Sequence, residues 1–208
     1  MTYFPDHVYG DAGSYASDYY ARLAAASATI MPDAIAAAGD LLLSTIDAGK
    51  RIYSCGNGGS AAIANHLVCD CLKGIRTNTA IKPKVYSLST TVETITAIVN
   101  DIGSEEMFSF QLSSLGEGGD LLIAISSSGA SPNIIKALQL ARTMGMKTIA
   151  MTGFAGGEAV KIADVSLHVD CENYGIVEDL HQSLMHILAQ YCRNSRFDDP
   201  AKLGTLKF

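Results

Sequence analysis

The apolar residues of this chain follow two rhythms, and the change falls near residue 50. Before it, Ala-rich segments repeat at three- and four-residue spacing over 13–27 and 32–48, which predicts two helices; Pro32 opens the second in its first turn and Gly49 stops it. Beyond it, short apolar runs at 51–55, 84–88, 120–126, 147–151 and 165–169 alternate with longer stretches of helical periodicity. Alternation of strand and helix predicts an α/β fold, a parallel sheet between two helix layers joined by right-handed crossovers. Functional loops then belong at the C-terminal ends of the strands. A last helix is expected over about 175–193, followed by a polar tail, 194–208, that the pattern does not assign. With no repeat or linker visible, 1–208 reads as one domain: a helical extension at about 13–48 and an α/β core at about 51–193.

Composition narrows the function. Of 208 residues 48% are hydrophobic and 17% charged, enough apolar surface to offset the ordering entropy of a folded chain. Fifteen Lys and Arg against 21 Asp and Glu give a net charge of -6, which argues against a nucleic-acid backbone as principal ligand. No stretch reaches the roughly 18 charge-free apolar residues of a membrane helix, and residues 1–11 lack a basic region followed by an apolar one. A cytoplasmic location is the expectation. Five cysteines without paired spacing predict no disulfide framework, and the C-x-C pair Cys69 and Cys71 reads as buried small hydrophobes on a helix.

Two loops carry candidate chemistry. The first strand delivers Cys55-Gly56-Asn57-Gly58-Gly59-Ser60 to a helix, so glycines permit close backbone approach and helix-start amides face an anion. Neither the P-loop lysine nor the dinucleotide glycine spacing is present, and a tight turn alone would also use glycine. The third strand delivers Ser126-Ser127-Ser128-Gly129-Ala130-Ser131 to a helix opened by Pro132. An N-cap needs one serine; four, with helix-start amides, favour a phosphate monoester held without a cationic side chain. In the flavodoxin-like strand order 2-1-3-4-5, these two loops flank the switch-point crevice.

The two loops together resemble the sugar isomerase (SIS) domain, and more specifically the phosphoheptose isomerases, which convert sedoheptulose 7-phosphate into glycero-manno-heptose 7-phosphate. The likeness runs from the N-terminal helices to about Arg193. It implies a five-stranded three-layer α/β/α sandwich in which Asn57, Gly58, Gly59 and Ser60 line the sugar, and Ser126, Ser127, Ser128 and Ser131 hold the phosphate. Asn100-Asp101 matches an Asn-Asp pair of the family's site, although as the end of an apolar run it equally suits a helix C-cap and turn. The resemblance also implies a homotetramer with sites at subunit boundaries, and a role in heptose supply for surface polysaccharide.

The remaining candidates lie on two helices. His66 and Asp70, four residues apart, share one face, which suits a shared metal or a proton-transfer pair. Glu178 and His186 stand two turns apart on the last helix and can face one pocket, whereas His181 is offset and reads as solvated or interfacial. For His66 the plain alternative is an interior histidine. The family carries His and Glu four apart on the first of these helices and Gln and His eight apart on the last, a set that can bind zinc; the matching positions are His66, Asp70, Glu178 and His186. Asp70 replaces the longer Glu, and Glu178 stands where Gln is expected. Two histidines and two carboxylates would suit zinc, and the hard oxygen ligands would also admit manganese or ferrous iron. By the resemblance Asp70 is the base and His186 the acid of an aldose-ketose isomerisation, with Glu178 as the alternative base. Two other readings remain: an isomerase for another ketose or modified heptose phosphate, and a non-catalytic phosphosugar- or protein-binding module resembling the replication-initiator-associating proteins.

Overall fold

The computed structural model describes residues 3–206. Helices α1 (Ala12–Ser27) and α2 (Pro32–Asp47) precede strand β1 (Arg51–Gly56). Asp11 caps α1 by accepting from the Gly13 and Ser14 amides, and Pro32 opens α2. Then come α3 (Gly59–Cys69), a π-helical turn (Asp70–Ile75), β2 (Lys84–Ser87), α4 (Val92–Asp101), α5 (Ser109–Leu115), β3 (Leu121–Ser126) and α6 (Pro132–Thr143). The chain continues through β4 (Lys147–Thr152), the short α7 (Ala159–Ile162), β5 (Val165–His168) and the long α8 (Tyr174–Ser195). Pro200–Lys202 form a 3-10 turn in the tail.

All four strand pairings are parallel, in the order β2-β1-β3-β4-β5, the expected flavodoxin-like arrangement. Because side chains alternate across a strand, each central strand feeds two cores. Ile52, Leu121, Ile123, Ile125, Ile149 and Met151 pack with α2, α3 and α8, while Tyr53, Cys55, Leu122, Ala124 and Ala150 pack with α5, α6 and α7. The helices that follow β1 and β3 thus leave on opposite faces, which opens the crevice between their first turns. Among the described residues no single helix is long and apolar enough to cross a membrane; α1 and α2 together have the length and composition but meet at 74°.

Two expectations about single residues change. Cys71 is buried, but Cys69 is exposed, because residues two apart on a helix of about 3.6 residues per turn point about 200° from each other and face opposite sides. His181 is fully buried rather than solvated, since α8 is covered on several sides by α1, α2, α3 and the sheet.

Candidate active site

Both loops end buried strands and begin helices, so their backbones are held by the sheet. In the first, Gly58 takes φ +54° at the N-cap of α3, and Ser89 brackets Gly56 by accepting from its amide and donating to its carbonyl. In the second, the Gly129 amide donates to the Ser126 carbonyl at 3.0 Å and its hydroxyl at 3.2 Å, and the Ala130 amide reaches Ser128 Oγ. Gly129 sits at φ +62°, and a Cβ there would lie 2.0 Å from the Gly156 carbonyl oxygen. The serine loop is therefore clamped from behind by the loop after β4, whose Gly153 amide donates to the Ser127 carbonyl.

Across the crevice the amides of Asn57 and Asn133 exchange two hydrogen bonds, at 3.0 and 2.9 Å. Asn133 lies in the first turn of α6, where an asparagine after a helix-opening proline carries no local sign of a partner 76 residues away. A cavity of about 130 Å³ lies between the loops, lined by Asn57, Ser60, Ser126, Ser127, Ser128, Ser131, Tyr174 and Glu178. Ser127 Oγ is buried with no hydrogen-bond partner, the kind of unpaired group that a ligand satisfies. All four serines of the second loop thus converge, and among the described residues no lysine or arginine stands on the cavity wall. Tyr174, at the mouth, packs on Phe154 with ring centroids 4.7 Å apart.

Glu178 belongs to this cavity because residue 59 has no side chain. A Cβ on Gly59 would come within 2.6 Å of both Glu178 carboxylate oxygens, so the carboxylate occupies that space at the first turn of α3, where the helix dipole favours an anion.

Farther along, α3 and α8 run parallel and place a second cluster. His186 Nδ1 is 2.6 Å from Asp70 Oδ2, and His66 Nε2 is 3.4 Å from Asp70 Oδ1. The imidazoles meet edge to face, 5.0 Å apart and at 88°. Asp70 opens the π-helical turn, a wider backbone form often found at functional sites. One nitrogen from each histidine and one oxygen of Asp70 lie within 4.8 Å of one another. Two imidazoles and a carboxylate with an open position form a donor set that fits a catalytic divalent ion. Glu178 is not in this trio: eight residues of α8 separate it from His186 by about 12 Å, so the two address opposite ends of one seam. Between them stands Gln182, its amide nitrogen 3.1 Å from His66 Nδ1 and 2.9 Å from His186 Nε2. A lone glutamine between helical histidines looks like a solvated residue in sequence, and only the approach of α3 reveals its partners.

Asn100 and Asp101 close α4, exposed and hydrogen-bonded to each other at 2.6 Å. They line neither the serine cavity nor the trio in this chain.

The SIS domain model matches residues 14–153. A phosphoheptose isomerase of Akkermansia muciniphila is 39% identical over 148 residues, 70% of this chain and 77% of that protein. One from Nitratidesulfovibrio vulgaris is 38% identical over 74% of each chain. Among solved structures, a phosphoheptose isomerase of Neisseria gonorrhoeae superposes with a TM-score of 0.81 at 30% identity, covering 89% of this chain and 100% of that one. A second, from Francisella tularensis, gives 0.79 at 31%, covering 87% and 95%.

Proposed function

Because the chain belongs to the SIS-domain family and, within it, to the phosphoheptose isomerases, we propose that it interconverts sedoheptulose 7-phosphate and D-glycero-D-manno-heptose 7-phosphate through an enediol(ate). The chain is a sugar-phosphate isomerase by that membership; the substrate and the residue roles are our reading. One observation carries it. A cavity lined by the serines of the β3 loop stands at one end of the α3–α8 seam, and a carboxylate–imidazole pair 2.6 Å apart stands at the other. A heptulose 7-phosphate has the same polarity, with phosphate on its last carbon and the reacting carbons at its first two.

In this account Ser126, Ser127, Ser128 and Ser131 hold the phosphate, while Asn57 and Ser60 face the sugar over Gly58 and Gly59. Asp70 takes the proton from the ketose C1, the C1–H electrons form the C1–C2 double bond, and the carbonyl oxygen at C2 gains a proton. Returning a proton to C2 while C1 becomes the carbonyl gives the aldose. His186, beside Asp70, carries the proton between the two oxygens when no ion holds its Nδ1. Glu178 accepts from sugar hydroxyls near the start of α3 and is the alternative base if Asp70 does not reach. A divalent ion, zinc foremost, would be held by His66, Asp70 and His186, and when bound it supplies a positive charge for the developing oxyanion.

A homotetramer with sites completed at subunit boundaries, a cytoplasmic location and a role in heptose supply complete the proposal. The test is turnover: the purified chain is given sedoheptulose 7-phosphate beside shorter ketose phosphates, and aldose formation is followed. Preference for the seven-carbon substrate supports the reading, and another preferred ketose would transfer it to a related isomerase. Binding without turnover would make the chain a phosphosugar-binding module.

A further inference from the structure

His66, Asp70, Gln182 and His186 close a ring of three hydrogen bonds and one 3.4 Å contact, between His66 and Asp70. Gln182 Nε2 faces His66 Nδ1 and His186 Nε2, and the other two ring nitrogens turn to the two oxygens of Asp70. Amide and carboxylate thus stand at opposite poles, with one imidazole on each side. An amide nitrogen carries two donors and no acceptor, a carboxylate only accepts, and a neutral imidazole does one of each. With neutral imidazoles, one arrangement of hydrogens satisfies the ring. Gln182 donates to both histidines, His66 keeps its proton on Nε2 and His186 keeps its proton on Nδ1. With the amide oxygen turned inward instead, Asp70 would face two imidazole lone pairs.

A cation bound by the trio needs the reverse. Asp70 lies on the side of His66 Nε2 and His186 Nδ1, so an ion shared with Asp70 takes lone pairs on those nitrogens. Their protons then sit on His66 Nδ1 and His186 Nε2, the atoms facing Gln182. An amide nitrogen cannot accept them, but the amide oxygen can accept both, after a half-turn of a terminal torsion that leaves the side-chain volume unchanged.

We infer that Gln182 is a positioning residue for the divalent ion, an amide that holds the two imidazoles through its NH2 when the site is metal-free and through its carbonyl oxygen when the site is loaded. Histidine ligands generally require such a partner on the second ring nitrogen to fix their tautomer. Glutamine can serve both states, whereas glutamate serves only the loaded one. The inference rests on the trio being the metal site, and it separates two positions one turn apart on α8, with residue 178 serving the sugar-phosphate cavity and residue 182 serving the ligands.

Zinc affinity, measured by competition with a chromophoric chelator on the whole chain, distinguishes the roles. Q182M, which keeps the bulk but neither donor nor acceptor, is expected to lose about ten- to a hundredfold in zinc affinity, the usual cost of removing such a partner. Q182E, nearly isosteric, is expected to bind zinc at least as tightly as the parent. Nitrogen-15 spectra of the imidazoles should show His186 protonated on Nδ1 and His66 on Nε2 without metal, with both reversed by zinc. Equal affinity in Q182M and parent, Q182E as weak as Q182M, or tautomers that do not change with zinc would each overturn the inference while leaving the metal site standing. A parent chain that takes up no zinc removes the metal site and this inference together, and leaves the isomerase reading to turnover alone.

Discussion

Asp70 carries the residue-scale argument, because both imidazoles of the cluster turn toward it and a base needs partners to orient it. Asp70→Asn should abolish turnover while phosphosugar binding, measured calorimetrically, stays near the parent's. Asp70→Glu should retain or raise kcat if position 70 is a shortened base. Full kcat in Asp70→Asn with loss in Glu178→Gln would move the base to the serine cavity. At the other end of the seam, a Ser126→Ala/Ser128→Ala variant removes hydroxyls from the cavity wall. Each hydrogen bond lost to a charged group costs about 1.5–3 kcal/mol, so the dissociation constant for a phosphosugar should rise at least tenfold; unchanged binding would sink the phosphate assignment. At this scale the sequence was legible where chemistry repeats locally. Four serines within six residues announce a loop, and His66 with Asp70 announces a helix face. Gln182, Asn133 and the separation of Glu178 from His186 were not legible, because each depends on which turn of α3 or α6 lies opposite.

The elements that hold those residues were mostly readable. All five strands lie within a residue of the apolar runs, as in 51–55 against Arg51–Gly56 and 147–151 against Lys147–Thr152, since strands buried on both faces read as continuous apolar segments. The π-helical turn was hidden, because its residues Asp70–Ile75 keep an ordinary helical composition. Close packing between elements gives two predictions. Gly129→Ala would drive a Cβ into the Gly156 carbonyl from a left-handed backbone, and should cost more than about 2 kcal/mol in denaturant unfolding; a shift within error would mean the two loops are not clamped. His181, packed inside α8's buried face, is the second. Burial pushes its pKa down to about 4 from 6.5, aided by nearby His168 and opposed by the Thr152 backbone, although neither ring nitrogen reaches a partner at hydrogen-bonding geometry. The folded state therefore binds fewer protons than the unfolded state between those values. Stability from this residue is whole above pH 6.5 and is lost as the pH falls toward 4, by about 3 kcal/mol in all. In His181→Leu the midpoint of unfolding should vary less over that window than in the parent; an equally steep acid limb would assign the loss to other groups.

At the scale of the whole molecule, the N-terminal helices were legible as amphipathic segments, but what covers the exposed face of α1 was not. Tyr20 on α1 is 67% exposed and Met31, at the N-cap of α2, 65%. Burial of such residues between copies is what a homotetramer would provide, and light scattering at micromolar concentration should give about four times the chain mass; a monomer with full turnover would contradict shared sites. Isomerisation depends on one event, transfer of the C1 proton of a heptulose phosphate within the α3–α8 seam. The most direct measurement is incubation of the parent chain and Asp70→Asn with sedoheptulose 7-phosphate in deuterium oxide, followed by NMR of the sugar protons. The account predicts an aldose 7-phosphate carrying deuterium at C2 and exchange of one C1 proton of the remaining ketose with the parent, and neither with Asp70→Asn. Binding of the sugar phosphate by the parent with no aldose and no exchange, with or without added zinc, would contradict it.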